Sequence, residues 1–524
     1  MDAKAEGPGR RTREQTLNDE VKDSEQLTAY APDLLYAGGR FRRGRALLCD
    51  AQGRVARVAP EEELGEGVRV VRLRGRAMLP GMVNAHSHAF QRVIRGRTEY
   101  RAANARDSFW TWREQMYAAA SRLTPEDIYD ASRMAFLEMA LGGITCVGEF
   151  HYLHRTPEGT EYVDANLLSK QVVRAARDVG IRIALLRVVY ARAGYLKEPD
   201  PRQLRFIEPD AEVYARNTEA LIKDLARLDS NDASDDDAGV GDATRRAWVG
   251  VAPHSVRAVP VEYLRTLRDF ADARSLPLHM HVAEQPAENE ACLRETGRTP
   301  VALLADEGVL SSRFTGVHAV HITPEEIAQL GDARAQVCAC PTTERNLGDG
   351  VVPADALLKA GVAISLGTDS HAQIDLLEDA RELEYHLRLR RLERNVLAPD
   401  ADEAEDGSGS NVVLNNGAAR TSSLAARLFE CATRAGARSV GARAGEFAEG
   451  GAADFFTVDL EDPTVAGAHT EDPLPAIVFS LSRAAVRETA VGGRILVEGG
   501  RHAAQDEIVS RFKVLQKKLW ACSE

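Results

Sequence analysis

The chain has 524 residues, 44% hydrophobic and 28% charged, a balance that fits a globular protein with a large core and room for a second small domain. Its 66 basic and 79 acidic residues give a net charge of −13, which disfavours nucleic acid as a partner and gives an anionic substrate no long-range steering. No apolar run approaches the roughly 20 residues of a membrane span, so no membrane partner is expected.

Residues 1–29 are polar, lack the apolar centre of a signal peptide and read as a flexible lead-in, with the cytoplasm as the expected compartment. Short strands follow in LLYAGG, ALLCDAQGRVARVAP and VRVVRLRGRAMLP. The alternation in GRVARVAP suits a half-buried sheet. ADFFTVDL, PAIVFS and ETAVGGRILVEGGRH near the other end have the same β texture. Residues 30–80 and 445–505 are therefore expected to form one small β-sandwich domain, with a helix over 506–524.

Between them, apolar β runs alternate with helical stretches. The runs are MVNAHSH, GITCVGEFHY, RIALLRVVY, WVGVAPHS, PLHMHVAE, TGVHAVHIT, AQVCACPTT and GVAISLGTDSH. Helices are expected in PEDIYDASRMAFLEMALGG, LLSKQVVRAARDVG and PVEYLRTLRDFADARS. Eight such alternations predict an α/β fold, a parallel (β/α)8 barrel over residues 81–444. Acidic, Gly/Ser/Asn-rich segments near 229–243 and 400–411 read as solvated insertions. The Cys338-x-Cys340 pair lacks zinc-site spacing and reads as buried reduced thiols.

Functional residues of such barrels sit at the C-terminal strand ends. Here those ends are polar: His86-Ser87-His88, Glu149 to Tyr152, His254 to Arg257, His279 to Glu284, His318 with His321, and Asp369-Ser370-His371. A lone strand histidine is usually a satisfied core residue, and a metal pair at His151 and His154 is disfavoured because that stretch falls in a loop. The joint pattern argues otherwise, because nine of the 13 histidines lie within or just after these runs. In a strand, His-x-His points both imidazoles one way. With one histidine from a facing strand and one carboxylate they suit Zn²⁺ with a position left for water. His86, His88, His281 and Asp369 are the predicted ligands of a metal that brings water to a pKa of about 7. Fe²⁺ and Mn²⁺ suit similar sets. Glu284, three residues past His281, is placed to move a proton. WVGVAPHS lacks the lysine that bridges two metals in sites of this kind, so one metal per subunit is expected.

LPGMVNAHSHAFQR, HVAE, HAVH and GTDSH resemble the mononuclear deaminase branch of the amidohydrolase superfamily. DSFWTWREQMY, VGEFHYLH, VAPHSVRAV, CPTTERNLGDG, RNVLA and EGGRH together resemble the formimidoylglutamate deiminase family, in order, over roughly residues 30 to 515. The resemblance implies hydrolysis of the formimino C=N of N-formimino-L-glutamate in histidine degradation, the same four zinc ligands, and a homodimer. It implies Glu284 as the proton shuttle to the leaving nitrogen, His318 as the group polarising the attacking hydroxide, and Asp369 as acceptor of the water proton. It implies Gln91, Arg113, Tyr152 and Arg257 as substrate contacts. Arginine clamps suit a small-molecule dicarboxylate. Arg345 departs from the family's usual small residue and points either at the substrate or at solvent. Competing readings are a deaminase of a purine, pterin or other heteroaromatic amidine, which needs no double carboxylate clamp, and an inactive scaffold, which predicts missing ligands.

Overall fold

The computed structural model describes residues 27–101, 107–195, 197–198, 200–230, 245–399, 412–413, 419–420, 424–468 and 471–521. Eight parallel strands follow one another around a single sheet: Met82–Ser87, Ile144–His151, Arg182–Val189, Ala247–Pro253, Leu278–Val282, Phe314–His318, Gln336–Ala339 and Ala363–Leu366. Each coincides with one of the expected β runs. The first three are buried along their whole length, as strands covered on both faces must be. First and eighth strands meet through the main chain just past the eighth: Asp369 N–H donates to His86 O and His88 N–H to Asp369 O, both at 3.1 Å. Residues predicted as ligands therefore lie on the seam that closes the barrel.

A short helix, Arg434–Val440, whose buried side is made of small residues, plugs the other end. A Cβ on Gly436 would come within 2.5 Å of Val83 O, so glycine permits the close approach. Trp248 Nε1–H donates to Val440 O at 2.7 Å, and His279 Nε2–H to Ser439 O at 2.8 Å.

Nine further strands, drawn from both chain ends, form a mixed sheet. Phe455–Asp459 from the C-terminal part runs antiparallel to Arg69–Pro80, pairing Phe455 with Pro80 and Asp459 with Arg76. Side-chain alternation divides its two faces. Leu34, Leu79 and Phe456 join the main core with the barrel helices, while Leu35, Met78 and Phe455 build a separate core inside the β domain. A buried ion pair rivets the two units: Arg182 Nε and Nη2 donate to the Asp454 carboxylate at 2.8 and 3.0 Å.

Three expectations are corrected. The first strand begins at Thr28, inside the expected lead-in. PAIVFS belongs to a helix, Leu474–Ser480, whose Leu474, Ile477 and Val478 face the core. So short an apolar run carries no usable period, and Pro475 is tolerated in a first helical turn. The C-terminal helix spans Gln505–Trp520. The rest of the lead-in and nearly all of both acidic insertions lie outside the described residues. No helix among the described residues is long and apolar enough to cross a membrane.

Candidate metal centre and active site

His86, His88 and His281 converge on one point. Their Nε2 atoms are 3.2 Å apart in the pairs His86–His88 and His86–His281. Asp369 Oδ1 lies 3.4 Å from His86 Nε2 and 3.2 Å from His88 Nε2. Tetrahedral bonds of 2.0–2.1 Å would set neighbouring donors about 3.4 Å apart, so the four side chains fit a divalent metal. All four are buried, and their donor atoms lie within 4.8 Å of one another.

Neighbours fix how the rings point. His88 Nδ1–H donates to Phe150 O at 2.9 Å and His281 Nδ1–H to His254 O at 3.2 Å, which leaves both Nε2 lone pairs free to ligate. Burial pushes His86 down to about 3 and His281 well below its ordinary value, so these imidazoles are neutral. Burial favours protonated Asp369, but the neighbouring side chains of His86, His88 and His318 outweigh it and hold the carboxyl well below its usual range. Glu149 braces the His-x-His turn from the second strand, accepting from Ser87 Oγ at 2.6 Å and Ala89 N–H at 2.7 Å.

Alternation along a strand would put Glu284 opposite His281. Instead Ala283 has φ 51°, and Glu284 turns back toward the metal group. Similar left-handed backbone occurs at His318 (φ 73°), Ala319 (φ 52°) and Asp369 (φ 41°). Such conformations cost energy in non-glycine residues and cluster at functional sites. Glu284 Oε1 stands 3.6 Å from His318 Nε2, which is 3.8 Å from Asp369 Oδ2. Burial raises the Glu284 carboxyl. Burial alone would depress His318, but the carboxylates of Glu284, Glu344 and Asp369 hold it well above its ordinary value.

A cleft of about 470 Å³, counting its open mouth, lies over this group. His88, Gln91, Arg113, Tyr152, Arg257, His281, Glu284, His318 and Asp369 all line it, with His86 buried behind them. The structure thus brings all ten predicted residues together. Arg113 has no ion-pair partner among the described residues. Its guanidinium lies over Trp110 at 4.4 Å and Tyr117 at 5.4 Å, and its Nε is buried without a hydrogen bond. Arg257 Nε is 3.6 Å from Glu288 Oε1, too far for a hydrogen bond, and both atoms are buried and unsatisfied. Gln91 Nε2–H donates to Tyr152 Oη at 2.8 Å, leaving Gln91 Oε1 without a partner.

Sequence reasoning assigned no role to His254, Glu288 or Glu344. His254 lines the cleft and packs on Tyr190 with ring centroids 4.1 Å apart. The polar ending His254-Ser255-Val256-Arg257 carried that signal, whereas nothing in the sequence singled out Glu288 or Glu344. Other flagged histidines are structural: His154 Nε2–H donates to Val188 O at 2.6 Å, and His321 Nε2–H to Asp349 O at 2.8 Å. Cys338 and Cys340 are buried and unpaired. Arg345 is exposed and pairs with Glu382, so of the two expectations for it the solvent-facing one is observed.

Residues 77–496 match the sequence model of the Amidohydrolase family. The chain belongs to the amidohydrolase family. Among its curated relatives is the formimidoylglutamate deiminase of Pseudomonas aeruginosa, 36% identical over 463 residues, covering 88% of this chain and 93% of the relative. Another is the 5-methylthioadenosine/S-adenosylhomocysteine deaminase of Halobacterium salinarum, 28% identical over 451 residues, covering 86% and 88%. The crystal structure of an amidohydrolase from Brucella melitensis superposes with a TM-score of 0.80 at 31% identity, covering 94% of this amidohydrolase and 99% of that chain. Barrel, β domain and metal-fitting group thus belong to a family of C–N hydrolases.

Proposed function

We propose that this amidohydrolase hydrolyses N-formimino-L-glutamate to N-formyl-L-glutamate and ammonia, with one Zn²⁺ held by His86, His88, His281 and Asp369. The observation that carries the reading is the pair of arginines, Arg113 and Arg257, with unsatisfied N–H groups in the walls of the cleft over the metal group. A glutamyl substrate offers two carboxylates, and guanidinium groups bind carboxylates in planar, two-bonded fashion. The 36% identical deiminase of P. aeruginosa supports the same substrate.

The chemistry that a divalent metal supplies in such a site is activation of water at neutral pH. Asp369 takes a proton from the attacking water. His318, between Glu284 and Asp369, stabilises the negative charge that builds on the nucleophile. The water oxygen bonds to the formimino carbon as the C=N π pair passes to the terminal nitrogen. Glu284, whose carboxyl is raised by burial, gives that nitrogen one proton and relays to it the hydroxyl proton of the adduct; the C–N bond breaks, ammonia leaves, and the proton on Asp369 restores Glu284. Gln91 Oε1 is free to accept from the amidine N–H groups, with Tyr152 holding the amide in place.

A second reading is favoured by the 28% identical relative: deamination of a nucleoside or related heteroaromatic amidine. The aromatic lining of the cleft suits a ring, but a neutral ring offers no carboxylate to Arg113, which has no ion-pair partner among the described residues, nor to the unsatisfied Nε–H of Arg257. Following the formimino proton by NMR during turnover tests the choice. Stoichiometric N-formyl-L-glutamate and ammonia support the proposal, and an unchanged formimino signal refutes it.

A further inference from the structure

We propose that Glu344 is the positioning residue for His318. The proposal rests on His318 acting in the reaction above, but its geometry is independent of the substrate. Glu344 lies in the helix Pro341–Leu347, which follows the seventh barrel strand, and is 1% exposed. Its Oε1 accepts from Cys340 N–H at 2.9 Å, which fixes the carboxylate against its own helix start. The same oxygen faces His318 Nδ1 at 3.3 Å.

His318 needs such an anchor. It ends the sixth strand with φ 73°, and Ala319 follows with φ 52°, so no regular strand geometry dictates where its ring points. Nδ1–H donation to Glu344 leaves Nε2 as the atom facing Glu284 and Asp369, at 3.6 and 3.8 Å. Glu344 is absent from the cleft lining, and the lining residue it faces is His318. Holding a catalytic imidazole by its far nitrogen fixes its ring plane and keeps that nitrogen protonated. Cys340, His318 and Glu344 also lie close enough to hold an ion, with donor atoms within 4.8 Å. The hydrogen bond from Cys340 N–H, which already occupies the carboxylate, favours the hydrogen-bonded reading.

The test compares Glu344→Ala with Glu344→Gln in the metal-loaded protein. Glutamine still offers an oxygen to both N–H groups. Alanine is expected to lower kcat about 10- to 100-fold with KM within about threefold, and glutamine to recover most of that loss. NMR of ¹⁵N-histidine-labelled protein, with the His318 signals assigned through His318→Gln, reads the hydrogen bonding of Nδ1–H without any substrate. The wild type and Glu344→Gln are expected to show a hydrogen-bonded Nδ1–H, and Glu344→Ala to lose it. An unchanged His318 signature in Glu344→Ala overturns the proposal. So does a second metal equivalent per chain that only this variant loses. Absence of wild-type turnover on N-formimino-L-glutamate would sink the substrate assignment and leave the NMR result to judge Glu344.

Discussion

His281 and Glu284 stand three residues apart at the end of one barrel strand, yet both line the cleft, because Ala283 between them has φ 51°. One side chain is thereby free to ligate and the other to move a proton beside it. Glu284→Gln keeps the shape and removes the transferable proton. The variant should bind metal as the wild type does and turn over about 10²- to 10⁴-fold more slowly. Retained activity with full metal content would take the shuttle role away from Glu284.

Arg113 and Arg257 should act on binding. Loss of a charge-assisted hydrogen bond costs about 1.5–3 kcal/mol, so Arg113→Ala and Arg257→Ala should each raise KM roughly 10- to 100-fold. Steady-state kinetics on N-formimino-L-glutamate gives the answer. Unchanged KM in either variant removes that residue from the clamp.

Metal removal should separate fold from chemistry. The barrel core is apolar and continuous, so chelation is expected to abolish turnover, lower Tm and leave the circular dichroism spectrum barrel-like. Added Zn²⁺ should restore activity, and His86→Ala should resist restoration. Full activity in metal-free protein would exclude the assignment of the four ligands.

Acid should weaken the fold through Glu208. Arg187 holds this carboxylate with Nη1–Oε2 at 2.5 Å and Nη2–Oε1 at 3.0 Å, both side chains buried. Burial pushes the carboxyl up, but Arg187 outweighs it and brings it from 4.5 to about 2. A folded value below the unfolded one stabilises the protein above about pH 4.5, and that stability fades as pH falls toward 2. The contribution is roughly 3 kcal/mol. Denaturant midpoints of Glu208→Gln should be lower at pH 7 and fall less steeply between pH 4.5 and 2. An acid limb as steep as that of the wild type would contradict this.

Much of this arrangement was legible because it is written in local periods. Eight apolar runs, six of them with polar endings, gave the barrel strands, and the two-residue spacing of His86 and His88 gave half of the metal group. PAIVFS misled because six apolar residues serve a strand or a helix equally, and only packing against the barrel helices decides. The turn at Ala283 was invisible, since nothing in HVAE signals a left-handed backbone. Glu344 was hidden for a different reason: it meets His318 across 26 residues, and nothing in PTTERN singles it out. His279 shares its strand with His281, yet it serves the plug by donating to Ser439 O, a partner 160 residues away.

The central claim is that this metal cleft is shaped for a linear, doubly carboxylated amidine. Its most direct test is kcat/KM for ammonia release from N-formimino-L-glutamate and from S-adenosylhomocysteine, with metal content measured on the same sample. One metal per chain is expected, with a preference for N-formimino-L-glutamate of at least about 10³-fold, because the other substrate leaves the cleft arginines without its carboxylates. Equal or greater kcat/KM for S-adenosylhomocysteine at full metal content would contradict it.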